Sequence, residues 1–285
     1  MVSSASPRSA LRLAAAALAG ALFVVALVAC SPSGPSDADP VRVSVTTDTS
    51  AVAPGRSVTL VWRFAIAPAW HLYWVGRNDS GFPPTIDLAL PAGWIAGALQ
   101  WPAPERHLAD GDILDHVYFD ELVLLQKVRV PDDAAPGVVE FAATVEWLGC
   151  KEACVPGKAT VPVAVTVSPQ PAADRSDAWR AAHDALPQPL PAGLVSAEWS
   201  GQVFHLRPLA PAGGLAFMPT VDCGELVNLA RDGAGETLAL RFQVRDGTVG
   251  PVRGLLTVRA ADGATRSYTL DFPARTLDDN DPNGG

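Results

Sequence analysis

The residues best equipped for chemistry are two cysteines four positions apart, Cys150 and Cys154, in the stretch EWLGCKEACVPGKATV (146–161). The apolar runs on either side read as strands, one arriving at Trp147 and one leaving from Ala159, which places both thiols in a connection. A connection can fold back to the ~5.5 Å Cα separation that a disulfide needs. Three uses of such a pair are open: a staple, half of a metal site, or electron exchange. As a staple it contributes little, because closing so short a loop gives of order 2 kcal/mol or less by chain entropy. A metal site lacks its other half, since His71, His107, His116, His183 and His205 are scattered without paired spacing. Cu(I) needs fewer soft ligands, and Met218 and Cys223 are the candidates for it. Exchange suits an accessible small-ring disulfide, with Lys151 favouring a thiolate and Glu152 opposing it.

What a thiol pair does depends on its compartment. Arg8 and Arg12 precede an apolar run, Leu13 to Ala29, that stops at Cys30 and passes into SPSGPSDADP. This is the layout of a signal peptide, and Leu27-Val28-Ala29-Cys30 resembles a bacterial lipobox, with Cys30 as the lipidated residue. The alternative is an uncleaved anchor, and either arrangement exports the remainder. Losing Arg8 and Arg12 with the leader takes the formal charge from -9 to -11. Nucleic acid and anionic lipid surfaces are therefore poor partners, and membrane attachment must come through the lipid.

The pair must be positioned by β-structure. After a tether (30–40), short strands with period-2 alternation and Pro/Gly punctuation are expected near 41–50, 55–66, 85–90, 94–100, 121–130, 137–148 and 159–167. That pattern predicts an all-β chain built on an antiparallel sandwich. Residues 172–186, AADRSDAWRAAHDAL, have helical spacing and lie within a linker (169–192). Strands resume from 194 to 271, giving a smaller second β-domain (193–275) and a tail (276–285) that composition predicts to be disordered. In RNDSGFPP (77–84), Gly81 is expected at positive φ, with Asp79 or Ser80 bonding backbone. His71 and the tryptophans Trp70, Trp74, Trp94, Trp101 and Trp147 read as packing residues.

Three segments carry a resemblance: AWHLYWVGRNDSGFPPTIDLALPAGW (69–94), LQWPAPERH (99–107) and EWLGCKEACVPGKATVPV (146–163). In this order they resemble the periplasmic N-terminal domain of the thiol:disulfide interchange protein DsbD family, and more closely its ScsB-type branch. The resemblance is strong over 41–168 and weak over 194–273. It implies an immunoglobulin-like β-sandwich at 41–168 whose Cys150 and Cys154 shuttle reducing equivalents, Cys154 forming the mixed disulfide. The implied partners are a membrane thiol carrier and periplasmic thioredoxin-like or disulfide-bearing proteins, with no cofactor and no metal. The family covers its cysteines with an aromatic-bearing loop, and DHVYFDEL (115–122) matches it, so Tyr118 and Phe119 become shield candidates, with Asp120 and Glu121 near the sulfurs. Full-length members continue into a membrane carrier and a thioredoxin-like domain, so a chain of two β-domains is expected either to be reduced by a separate carrier or to serve as a tethered acceptor, donor or holdase with no catalytic cycle of its own. The competing reading is a non-enzymatic envelope binding module, for Cu(I) or a protein, with a structural disulfide. Cys223 reads as a buried small hydrophobe.

Overall fold

Residues 57–66, SVTLVWRFAI, show how the sequence makes the sandwich. Val58, Leu60, Trp62, Phe64 and Ile66 alternate along one face, and all five are buried. The computed structural model describes residues 34–172 and 174–277. The leader, Cys30 and tail residues 278–285 lie outside the described residues.

Ten strands form the first part: β1 (Val41–Thr47), β2 (Ser57–Ile66), β3 (His71–Tyr73), β4 (Thr85–Leu88), β5 (Ile95–Gln100), β6 (Glu105–Ala109), β7 (Ile113–Phe119), β8 (Glu121–Arg129), β9 (Gly137–Cys150) and β10 (Cys154–Val167). They make two antiparallel sheets, one in the order β1-β2-β8-β5 and one in the order β10-β9-β3-β7-β6, with β4 also paired to β9. Leu60, Trp62, Phe64, Leu122 and Leu124 of the first sheet share a core with Leu72, Val145, Val161, Val163 and Val165 of the second. This is the antiparallel sandwich expected from the alternation, in the immunoglobulin-like form that the resemblance implied.

The middle residue of β2, Val61, points away from that core and is nevertheless buried. Helix α1 (Asp177–Asp184) covers it, with Trp179, Ala182 and Leu186 packed on Val61, Val123 and Leu125. The helix is shorter than the 172–186 expected. Ser176 caps it, accepting from the Trp179 N–H at 3.2 Å, so the turns before that residue are excluded. Asp48, fully buried, accepts from the Thr59 N–H and pairs with Arg175, while its carbonyl accepts from the Ser176 N–H. The chain entering the helix is thereby fixed to the sheet.

Within the sandwich, three strands escaped the sequence reading: β3, β6 and β7. In β7, ILDHVYF, the polar pair Asp115-His116 interrupts the apolar run, yet both side chains are buried. They are tolerated because the turn 77–80 supplies their partners. Asp115 Oδ1 accepts from the N–H groups of Asp79 (2.9 Å) and Ser80 (3.0 Å), and His116 Nδ1 donates to the Arg77 carbonyl (2.6 Å). Asn78 Oδ1 accepts from the His116 N–H, and Asp79 Oδ2 from the Leu114 N–H.

Beyond the helix, a second core gathers Phe204, Leu206, Phe217, Leu240, Phe242, Leu256 and Leu270. Around it lie a sheet containing Ala212–Pro219, Val252–Ala260 and Thr265–Phe272, and a three-stranded sheet of Val195–Ser200, Val203–Pro208 and Leu238–Arg241. Met218 and Leu255 leave this group and pack into the sandwich core. Among the described residues no helix is long and apolar enough to cross a membrane.

His116 makes the fold sensitive to pH. Burial is the main cause that lowers its pKa from 6.5 to about 4; Arg106 adds to the effect, while the Arg77 carbonyl and nearby Asp115 and Asp79 oppose it. Between these values the unfolded chain binds a proton that the folded one refuses, so stability is lost as pH falls from about 6.5 towards 4. The expected contribution is at most about 3 kcal/mol. Thermal unfolding across pH 4–7 should show this slope, and His116→Gln should flatten it; an unchanged slope excludes His116 as its source.

Candidate redox site

The cysteines terminate the two strands of one hairpin. β9 and β10 pair from Val167↔Gly137 up to Cys154↔Cys150, leaving Lys151, Glu152 and Ala153 as the connection. The strands thus run past Trp147 and Ala159, the limits expected from the sequence, and take in both cysteines, Pro156 and Gly157. β10 is an edge strand, which tolerates proline. Gly157 lies opposite Trp147, and a Cβ there would come within 2.2 Å of the indole. Its glycine reflects close packing inside a strand.

Cys150 and Cys154 are joined in a disulfide, with Cα atoms 4.1 Å apart. The two sulfurs differ in environment. Cys150 is 2% exposed, whereas Cys154 belongs to the exposed face of β10. Beside Cys150, His71 of β3 pairs with Cys150 on one side and with Phe119 of β7 on the other. Cys150 shares an apolar cluster with Tyr73 and Val117, against which Phe119 and Leu148 pack.

Strand parity separates the four residues of the expected shield. Val117 and Phe119 face the cysteine, whereas Tyr118 points into the sandwich core. There the Tyr118 hydroxyl donates to the Pro102 carbonyl at 2.7 Å and its ring stacks on Trp101. Asp120 is exposed at φ 59°, and its carbonyl accepts from the Ile66 N–H. Glu121 pairs with Arg63 on the other sheet. Of these four, Phe119 alone belongs to the cluster around Cys150.

The polar side of the site consists of residues that received no chemical role from the sequence. The Tyr73 hydroxyl lies 3.9 Å from Cys154 Sγ, 3.3 Å from Ser80 Oγ and 3.3 Å from His71 Nε2. Ser80 Oγ in turn donates to Asp115 Oδ2 at 2.5 Å. Burial raises the Tyr73 pKa above its usual 10, so the phenol keeps its proton at neutral pH. Burial, reinforced by His107 and opposed by Asp115, lowers the His71 pKa below 6.5 and keeps the imidazole neutral. A neutral donor therefore stands next to the exposed sulfur. The alternation in HLY, with His71 and Tyr73 on one face and Leu72 on the other, was the available signal; nothing local marked Asp115.

Gly81 corrects a further expectation, for it is absent from the positive-φ positions. A Cβ at Gly81 would lie 2.2 Å from the Tyr73 ring, so the residue is small because the turn rests on that ring. Asp79 does bond backbone, as expected.

Residues 34–40, within the expected tether, also reach the site. Asp37 accepts from Trp70 Nε1 at 2.7 Å and pairs with Lys151 at 3.3 Å. Those two contacts, the indole first, hold its carboxyl below the usual range. Trp70 and Trp74 are buried, and Trp94, Trp101 and Trp147 pack against the sandwich core. Cys223 is a buried free thiol of the second core, its pKa raised chiefly by burial, and Met218 belongs to the first. Among the described residues no three His, Cys, Asp or Glu side chains group as a metal site.

Residues 38–164 match the family model described as thiol:disulfide interchange protein DsbD, N-terminal. No curated protein matches the chain. Among solved structures, the N-terminal periplasmic domain of ScsB from Proteus mirabilis aligns at a TM-score of 0.56 and 14% identity, over 83% of this chain and 95% of that one. The Neisseria meningitidis DsbD N-terminal domain in the reduced form aligns at 0.29 and 16% identity, over 43% of this chain and 86% of that one. The ScsB alignment extends the shared fold past the sandwich into the C-terminal β-region. The stretch that matches the DsbD N-terminal family model, residues 38–164, is thus the sandwich that carries Cys150 and Cys154.

Proposed function

We propose that this chain is an exported thiol:disulfide exchange module that passes electrons between a membrane thiol carrier and periplasmic partners through Cys150 and Cys154. The carrying observation is the asymmetry of the disulfide, one sulfur exposed and the other buried beside Phe119. A thiolate on a partner attacks Cys154 Sγ. The new intermolecular S–S bond forms as the Cys150–Cys154 bond breaks, and Cys150 leaves as a thiolate that takes up a proton. A second partner thiolate then attacks the partner's sulfur in the mixed disulfide, leaving the partner oxidised and the pair reduced. Delivery runs the other way. Cys154 attacks a partner disulfide, and Cys150, held adjacent, resolves the intermediate.

A purely structural bridge is the weaker reading, since the hairpin is already paired along both fourteen-residue strands that the cysteines merely close. Exposed apolar residues flank the accessible sulfur. Val155 is 44% and Phe82 63% exposed, and Phe82, Pro83, Trp147 and Pro156 line one shallow groove, a surface suited to a thioredoxin-like partner.

Anchoring through Cys30 belongs to the same proposal. Asp37, which pairs with Lys151 between the two cysteines, is only seven residues beyond Cys30. Even fully extended, seven residues span about 25 Å, so a lipid on Cys30 keeps the hairpin tip close to a membrane carrier.

Reduced thioredoxin-like protein in excess should open the disulfide, as read by thiol trapping; a pair that stays oxidised overturns the proposal. Cys150→Ser should accumulate a mixed disulfide through Cys154, and Cys154→Ser should yield roughly ten-fold less because its remaining thiol is buried. Equal trapping by both variants would contradict the assigned roles. In the Cys154→Ser background, Phe119→Ala should speed alkylation of Cys150 several-fold. An unchanged rate removes Phe119 as the shield.

A further inference from the structure

Arg77 links the C-terminal β-region to the redox site. Its guanidinium donates to the carbonyls of Cys223 and Gly224, the latter at 3.3 Å, and pairs with Glu225 at 3.5 Å. Its N–H donates to the Pro219 carbonyl at 3.0 Å, so every one of these partners lies in the segment PTVDCGE (219–225). On the opposite side the Arg77 carbonyl accepts from His116 Nδ1 of the sandwich. One residue is thus clamped between both parts of the molecule.

The turn beginning at Arg77 is the one that positions Tyr73. Ser80 Oγ lies 3.3 Å from the Tyr73 hydroxyl, and Gly81 lies against the ring. That hydroxyl is 3.9 Å from Cys154 Sγ. A contiguous set of contacts runs from Cys223–Glu225 through Arg77 and Ser80 to Tyr73 and the exposed sulfur. We propose that Arg77 is a positioning residue, through which the C-terminal β-region holds the 77–81 turn over Tyr73 and so sets the reactivity of Cys154. The inference rests on the exchange function proposed above and gives the second β-region a part in it.

The chemistry is that of a donor next to a developing thiolate. When the disulfide opens, the Tyr73 hydroxyl can donate to the Cys154 sulfur, and a hydrogen bond to the charged form lowers a thiol's pKa. Loosening the turn removes that help. The other titratable groups near the pair are Lys151 and Glu152 of the connection, Asp37 paired with Lys151, His71 of β3, His107 of β6 and Asp115 of β7, and no hydrogen bond or ion pair joins any of their side chains to Arg77. Glu225 does pair with Arg77 and belongs to the 219–225 segment itself.

The test measures iodoacetamide alkylation of Cys154, read at that residue by peptide mass, against pH in the full chain carrying Cys150→Ser, where Cys154 is the exposed thiol among the described residues. Tyr73→Phe, Ser80→Ala and Arg77→Ala should each move the midpoint upward, slowing alkylation below it by roughly three-fold or more for a half-unit shift. Arg106→Ala is the control. It removes a second tie to the same region, the bonds to the Leu229 and Ala230 carbonyls, without touching the turn, and should leave the profile in place. A profile unmoved by Arg77→Ala, unmoved by Tyr73→Phe, or moved equally by Arg106→Ala overturns the proposal. If Arg77→Ala does not fold, Arg77→Lys keeps the charge near Glu225, gives up the paired carbonyl contacts, and is judged by the same criteria. The readout needs no partner protein. Failure of exchange with a shifted midpoint would therefore count against the function alone, and exchange with an unmoved midpoint against Arg77 alone.

Discussion

A carboxylate buried in a β-sheet is the constraint on which this site depends. Asp115 is only 4% exposed, and stripping water from an unpartnered carboxylate costs several kcal/mol. Two backbone N–H groups and the Ser80 hydroxyl satisfy it, and all three come from one turn. The turn cannot move away without leaving that charge stranded. Ser80 is therefore held where it meets Tyr73, and Tyr73 where it meets the sulfur. Residues distant in sequence, 73, 80, 115 and 154, become a single arrangement because one acid has to be solvated by protein.

The remainder of the sandwich supplies stiffness around that arrangement. β2 is covered on both faces, by the opposite sheet and by α1, so the helix between the two β-regions is part of the packing. At the other end, Met218 and Leu255 enter the sandwich core beside the Arg77 contacts. Apolar insertion and polar bonding meet at one junction, next to the turn that matters for chemistry.

Much of this was legible in the residues. Strict alternation in 57–66 and 159–167 declared strands and their buried faces, and the compositional change at 30 and the cysteine spacing directed attention to export and exchange. What stayed hidden were features decided by tertiary partners. β7 did not read as a strand because Asp115 and His116 look wrong for a core until the 77–80 turn is known to satisfy them. Tyr118 and Phe119 are adjacent aromatics, and only the register of β7 against β3 tells which one faces the cysteine. Gly81 suggested a bend at positive φ, yet it is small, as Gly157 is, because an aromatic ring occupies the space above it. Asp37 looked like part of a solvated tether, and its partners Trp70 and Lys151 are far along the chain.

The outer edge of β10 carries a last consequence. Pro156 and Pro162 are six residues apart, an even separation, so both occupy positions of the same orientation along the strand. Proline has no N–H to give, and an edge strand accepts it where the missing donor would have pointed to solvent. The rim beside the disulfide is thus short of the groups another chain would need to extend the sheet. Under the exchange function proposed above, that shortage disfavours lasting strand addition by a partner, and it guards a long ribbon against aggregating with its own kind.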